Sequence, residues 1–201
     1  WHSQELLGEN DKERTKLSRI MGAVVDTFYE DCDEPVIIDK GRGWPIPTIL
    51  SAMTQVLGEK PKIIATVRSI PDCMASFVRV AKPDDLDEFI YAAELSTHLK
   101  AAYIAIQTGY EVAPECFCIV EYEDLVADPK AQLARIHEFL DLPDFEYDFT
   151  AIDGTSVQED DEELHGYEGM HDIQPVLAKQ HNEDPKDVLK HHYTTFCQPE
   201  F

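Results

Sequence analysis

Apolar residues recur at helical spacing early in the chain. Leu17, Ile20, Met21, Val24, Val25 and Phe28 follow the three- and four-residue steps of a helix. Asn10 or Asp11 offers a cap, so the pattern predicts a helix from there to about Tyr29. An acidic turn at 31–35 precedes Val36-Ile37-Ile38-Asp39, a short apolar run that reads as a strand. Gly41-Arg42-Gly43 breaks it. Residues 46–57 are helical again in spacing, with Ile49, Leu50, Met53, Val56 and Leu57 inward and Gly58 as terminator. Residues 62–68 form the next apolar, β-branched run. A strand, a helix and a strand joined by a crossover of this length favour parallel pairing.

Further along, Pro71-Asp72 supplies a turn and a helix N-cap. Residues 84–108 carry a long helical pattern, as one helix or two, ending at Gly109. Residues 117–121 lack alternation, which marks a strand buried on both faces. Asp128-Pro129 opens a helix to Leu140 that presents Leu133, Ile136, Phe139 and Leu140. From 144 to 170 no period persists, and 159–163 is a solvated acidic loop. Asp184-Pro185 starts a last helix with Val188, Leu189, Tyr193 and Phe196. With neither an internal repeat nor a linker, the expectation is one domain over residues 1–201. Its class is α/β with a mostly parallel sheet.

Charge narrows the partners. The chain has 17 basic and 40 acidic residues, a formal net charge of −23. Such a surface repels nucleic acid and anionic membranes. It admits an anionic ligand only where its few basic residues gather. No apolar run approaches the ~20 residues of a membrane span, and the opening WHSQELLGEN is too polar to read as a signal peptide. The cysteines number 5, an odd count, with Cys116 and Cys118 alternating on an apparent strand. Free thiols in a reducing, cytoplasmic compartment are the simplest reading. Their spacing is not that of a zinc site. His191-His192 has no Cys or carboxylate partner at useful spacing, so no metal is expected.

The stretch richest in chemistry is KIIATVRSIPDCMAS, residues 62–76. Arg68 stands where the strand should end, and Ser76 follows 8 residues later in the first turns of a helix. A guanidinium at a strand's carboxyl end, facing donors at a helix start, suits a phosphate group. In open α/β sheets, ligands bind at that edge.

Three segments lie in order: VIIDKGRGWP, KIIATVRSIPDCMASF and VEYEDLVADPKAQLARIHEFLDLP. Together they resemble the sulfotransferase family. There, one strand ends in a Lys motif, and a second ends in an Arg followed by a Ser eight residues on. A third element reads Tyr-Glu-Asp-Leu, then Asp-Pro, then a helix ending Phe-Leu-x-Leu-Pro. The tail HDIQPVLAKQHNEDPKDVL is similar to the family's C-terminal loop and helix. The resemblance implies a P-loop NTPase-like, three-layer α/β sandwich. It also implies transfer of a sulfuryl group from 3′-phosphoadenosine 5′-phosphosulfate to a hydroxyl or amine, without a metal.

The same resemblance assigns roles. Arg68 and Ser76 would hold the cofactor's 3′-phosphate, with Arg79 as a second contact. Tyr122 would line the nucleotide site. His171 and Lys179 lie in the tail that closes over it. Lys40 matches the lysine that contacts the transferring group, where negative charge develops on the bridging oxygen. Arg42, between two glycines whose amides can form an anion nest, falls on the acceptor side. Here the chain departs from the family's small residue and proline after the lysine.

Nothing before Val36 matches the family's Gly-rich phosphosulfate loop. The expectation is a sheet incomplete at its N-terminal side and a longer parent chain. No catalytic base is assigned. The acceptor is expected to be a small molecule or a peptide, since the acidic balance disfavours a polyanionic glycan. Two other readings compete. A P-loop kinase-like phosphotransferase needs a Walker-type loop and a Mg²⁺ carboxylate. A nucleotide-binding or interaction protein with a decayed catalytic site needs neither. An active sulfotransferase should prefer the 3′-phosphorylated nucleotide to AMP or ATP.

Overall fold

The computed structural model describes residues 11–34, 36–91, 94–152, 175–177 and 183–197. In chain order these form helices α1 (Asp11–Phe28) and α2 (Pro47–Leu57), strand β1 (Ile63–Val67), and helices α3 (Ile70–Ala81), α4 (Leu86–Tyr91) and α5 (Glu94–Val112). A 3₁₀ turn (Pro114–Cys116) leads into strand β2 (Phe117–Glu121), helix α6 (Tyr122–Ala127) and helix α7 (Pro129–Leu140). At the end come helix α8 (Pro185–Leu189), a 3₁₀ turn (Lys190–His192) and helix α9 (Tyr193–Phe196). β1 and β2 pair as a two-stranded sheet and run parallel. The class is therefore mixed α/β.

Contacts cluster into two compact units. The first holds residues 1–63 and 102–117, the second 64–101 and 118–201.

In the first unit α1 packs on α2. Among the described side chains of α1 the half-buried ones are Ser18, Gly22 and Val25, followed by Tyr29 just past its end. Apart from Val25, the apolar residues at helical spacing lie outside this stripe: Ile20, Val24 and Phe28 are 53%, 63% and 77% exposed. Gly22 sits at the contact, its missing Cβ falling 3.6 Å from the Val56 carbonyl oxygen. α2 buries Leu50 and ends at Gly58, whose φ of 75° is the left-handed conformation that glycine adopts without steric cost. Ile63, Ala105, Ala113, Cys116 and Phe117 complete the buried apolar set of this unit.

The expected strand at 36–39 does not form. The segment is irregular in the described backbone, with Val36, Ile37 and Ile38 all exposed. A β-branched run favours extended backbone, but a strand also requires a partner ladder. Without this first strand, the strand–helix–strand crossover expected over 36–68 does not form either. The expected end of the long helix at Gly109 is also overturned, because α5 continues to Val112. Gly109 is there for space rather than for a turn, since a Cβ would fall 2.1 Å from the Pro45 carbonyl oxygen.

In the second unit α3 packs on α8 and α9. Ala65, Ile70, Met74, Ala75, Ile90, Cys118, Val120, Leu189 and Phe196 form its buried apolar set, with Met74, Val120 and Leu189 fully enclosed. The N-cap of α3 is Ser69 rather than Asp72. Its hydroxyl accepts from the Asp72 amide at 3.3 Å, and the Asp72 carboxylate accepts from that hydroxyl in turn. Pro71 falls inside the first turn, where its missing N–H costs nothing. The expected helix at 129–140 forms as read, capped by Asp128, which accepts from the Ala131 amide at 3.0 Å. Asp128→Ala should cost about 1 kcal/mol of stability, read from the urea midpoint at unchanged slope.

The tail of α7 is fixed by His137, a buried histidine with both nitrogens engaged. Nδ1 lies 2.6 Å from the Pro143 carbonyl oxygen and Nε2 2.6 Å from the Tyr147 hydroxyl. A carbonyl can only accept, so Nδ1 carries the proton and Nε2 accepts from the tyrosine. Arg135 on the same helix donates to the Ile119 carbonyl of β2.

Candidate nucleotide site

The parallel strands deliver two side chains to their carboxyl ends. Arg68 is the first residue after β1, and Tyr122 is the first after β2. Both strands stop because a helix begins at once: Ser69 caps α3, and Glu121 is the N-cap of α6. The Arg68 guanidinium carbon lies 4.5 Å from the centre of the Tyr122 ring, close enough for a cation–π contact.

Two carboxylates flank the same guanidinium. Asp72 Oδ1 lies 3.9 Å from Nη2, and Glu123 Oε1 lies 3.8 Å from Nε. Both are ion-pair distances, too long for hydrogen bonds. The arginine is thus oriented by an aromatic face and two anions while its side chain stays 23% exposed. The next thiol, Cys73, is pushed up in pKa by burial, against a smaller lowering by Arg68. It therefore stands as a neutral, packed thiol and not as a nucleophile.

Ser76 and Arg79 both lie on α3, both are half-buried, and their spacing of three places them on one helix face. The Nη1 of Arg79 is buried with no hydrogen-bond partner among the described residues. A buried donor left unpaired costs about 1–3 kcal/mol, and an arriving anion would remove that cost.

Lys40 and Arg42 are exposed and belong to the first unit, whereas Arg68, Ser76, Arg79 and Tyr122 belong to the second. Asp39 accepts a hydrogen bond from Trp44 Nε1. His171 and Lys179 lie outside the described residues. What the sequence did not disclose is the role of Asp72 and Glu123. Asp72 is expected from the sequence to be a cap, yet both it and Glu123 lie at ion-pair distance from the arginine. The signal was present in part, because Glu123 follows Tyr122 in the Tyr-Glu-Asp-Leu motif.

Comparison with known proteins bears on this geometry. Residues 50–147, just under half of the chain, match the profile of the sulfotransferase family. Over that stretch the resemblance read from the sequence is borne out, and at family level it supports a transferase. The stretch contains Arg68, Ser76, Arg79 and Tyr122, and it excludes Lys40, Arg42, His171 and Lys179. No curated protein and no solved structure gives a significant match. Among the described residues, no helix is long and apolar enough to cross a membrane.

Proposed function

We propose that this protein transfers a sulfuryl group from 3′-phosphoadenosine 5′-phosphosulfate to a hydroxyl or amine of a small molecule or peptide. The observation that carries the reading is the Arg68 guanidinium, set against Tyr122 at the carboxyl ends of two parallel strands inside a sulfotransferase-family stretch. The residues present fit the nucleotide. Arg68, Ser76 and Arg79 supply directional donors for a phosphate, and the Nη1 of Arg79, which has no hydrogen-bond partner among the described residues, is a donor awaiting an acceptor. Tyr122 offers one ring face, already used by Arg68, and an edge for the nucleoside.

The nucleotide supplies an activated sulfuryl group, which an acceptor oxygen or nitrogen takes up as the bond to the 5′-phosphate breaks in line. Lys40 is read as the cation placed where charge develops on that bridging oxygen, and Arg42 as an acceptor-side cation. His171 and Lys179 are read as part of the segment that closes on the nucleotide.

We read the two units as parts of one sulfotransferase-like domain, built as a P-loop-like three-layer sandwich. In support, the boundary between the units falls one residue inside each strand. The five cysteines are all free thiols, which accords with a reducing, cytoplasmic compartment.

Isothermal calorimetry on the full chain tests the reading. 3′-Phosphoadenosine 5′-phosphate is expected to bind at least about a hundredfold more tightly than AMP, the gain coming from the 3′-phosphate. Equal binding of both nucleotides would remove the assignment of Arg68, Ser76 and Arg79. Selective binding without sulfuryl transfer to any acceptor would favour a nucleotide-binding protein.

A further inference from the structure

We propose that Asp87, His191 and His192 form a binding site for one divalent transition-metal ion of the zinc class. Chain folding brings the carboxylate of α4 to two consecutive histidines more than one hundred positions away, a juxtaposition invisible in local spacing. Asp87 Oδ1 lies 2.7 Å from His192 Nε2 and 3.3 Å from His191 Nε2. One ligand atom from each of the three residues falls within 4.8 Å of the others. Bonds of 2.0–2.1 Å in a tetrahedral site place neighbouring ligand atoms about 3.3 Å apart, so little movement is needed to seat an ion.

Neighbouring side chains in an α-helix diverge, and consecutive histidines would ordinarily point apart. Here Lys190 takes a φ of 52°, α8 ends, and both histidines fall within the 3₁₀ turn that follows. Their rings end 4.0 Å apart at a tilt of 37°. His192 is 4% exposed and is held edge-on by Tyr91, with ring centres 5.5 Å apart. One ligand is therefore fixed before the ion arrives. Asp87 and His191 are exposed, which leaves room for water in the remaining coordination positions.

Two imidazole nitrogens with one carboxylate oxygen suit zinc, cobalt(II) or nickel(II) better than magnesium or calcium. The Asp87 carboxyl is held below its usual range, first by the His192 hydrogen bond and further by His191 and Lys190. The overall charge of −23 also attracts dications, although the Lys190 ammonium opposes one locally. A bound ion would replace the hydrogen-bonded proton between His192 and Asp87. It would also clip the C-terminal helical segment to α4 within the second unit.

The test uses the full chain, freed of metal with EDTA and titrated with ZnCl₂ by calorimetry and thermal melting. One Zn²⁺ per chain is expected, with a rise in Tm of roughly 5–10 °C at a hundredfold excess over Kd. Cobalt(II) should give the visible absorption of a low-symmetry, nitrogen-bearing site, and Mg²⁺ should shift nothing. His191→Ala removes an exposed ligand that folding does not require, and it should weaken zinc binding at least tenfold. Asp87→Asn should do the same. Failure to bind, or equal binding by His191→Ala, would overturn the assignment; the latter would place the ion on thiols or other histidines. The result is independent of nucleotide binding.

Discussion

Arg68→Ala should weaken binding of 3′-phosphoadenosine 5′-phosphate by about a hundredfold or more while leaving AMP affinity within about threefold. A guanidinium gives a phosphate two parallel charge-assisted hydrogen bonds, each worth about 1.5–3 kcal/mol. Losing both corresponds to at least about 3 kcal/mol, or roughly two decades in Kd. AMP has no 3′-phosphate, so its affinity should be nearly unaffected, and the pair of titrations separates a lost contact from a damaged fold. Stability should change little, because the ion pairs broken are long and their carboxylates are 34% and 52% exposed. Arg68→Lys should recover only part of the loss, since an ammonium keeps the charge but not the fork. A Kd for the 3′-phosphorylated nucleotide unchanged in Arg68→Ala would sink the site.

The features visible in the sequence were those written in local chemistry. β2 was read at residues 117–121 because the apolar run Phe117–Val120, closed by Glu121, shows no alternation and so has few uses other than a strand buried on both faces. The Asp128-Pro129 start of α7 was equally readable, because cap and proline act within four residues. Arg68 was identifiable because a strand ending in an arginine before Ser-Ile-Pro-Asp leaves that side chain at the sheet edge. What was misread depended on partners distant in sequence. Val36-Ile37-Ile38 has the composition of a strand but no paired neighbour in the described structure, and composition cannot supply one. The α1 stripe obeys helical period, yet the face that meets α2 is the one carrying Ser18, Gly22 and Val25. Small residues there allow close approach, while the larger apolar face stays exposed. The same limit hid Asp87 from His192, and Glu123 from Arg68.

Gly109→Ala should destabilise the protein by about 3 kcal/mol or more, although alanine is the better helix former. The substitution sits inside α5 (Glu94–Val112), where exchanging glycine for alanine ordinarily gains about 1 kcal/mol. Here the added Cβ would fall 2.1 Å from the Pro45 carbonyl oxygen and 2.8 Å from Phe117 Cζ. The first obstacle is backbone and has no rotamer by which to yield. Relief requires the Pro45 segment and α5 to separate, which would also open the buried Phe117 that makes an edge-on contact with Tyr110. Overpacking of this kind costs about 1–3 kcal/mol where side chains can adjust, and more where backbone must move, so the clash outweighs the gain in propensity. For a domain of this size the Tm should fall by roughly 6–12 °C. A rise in Tm would show that Pro45 and Gly109 do not touch, and that helix propensity alone decides the position.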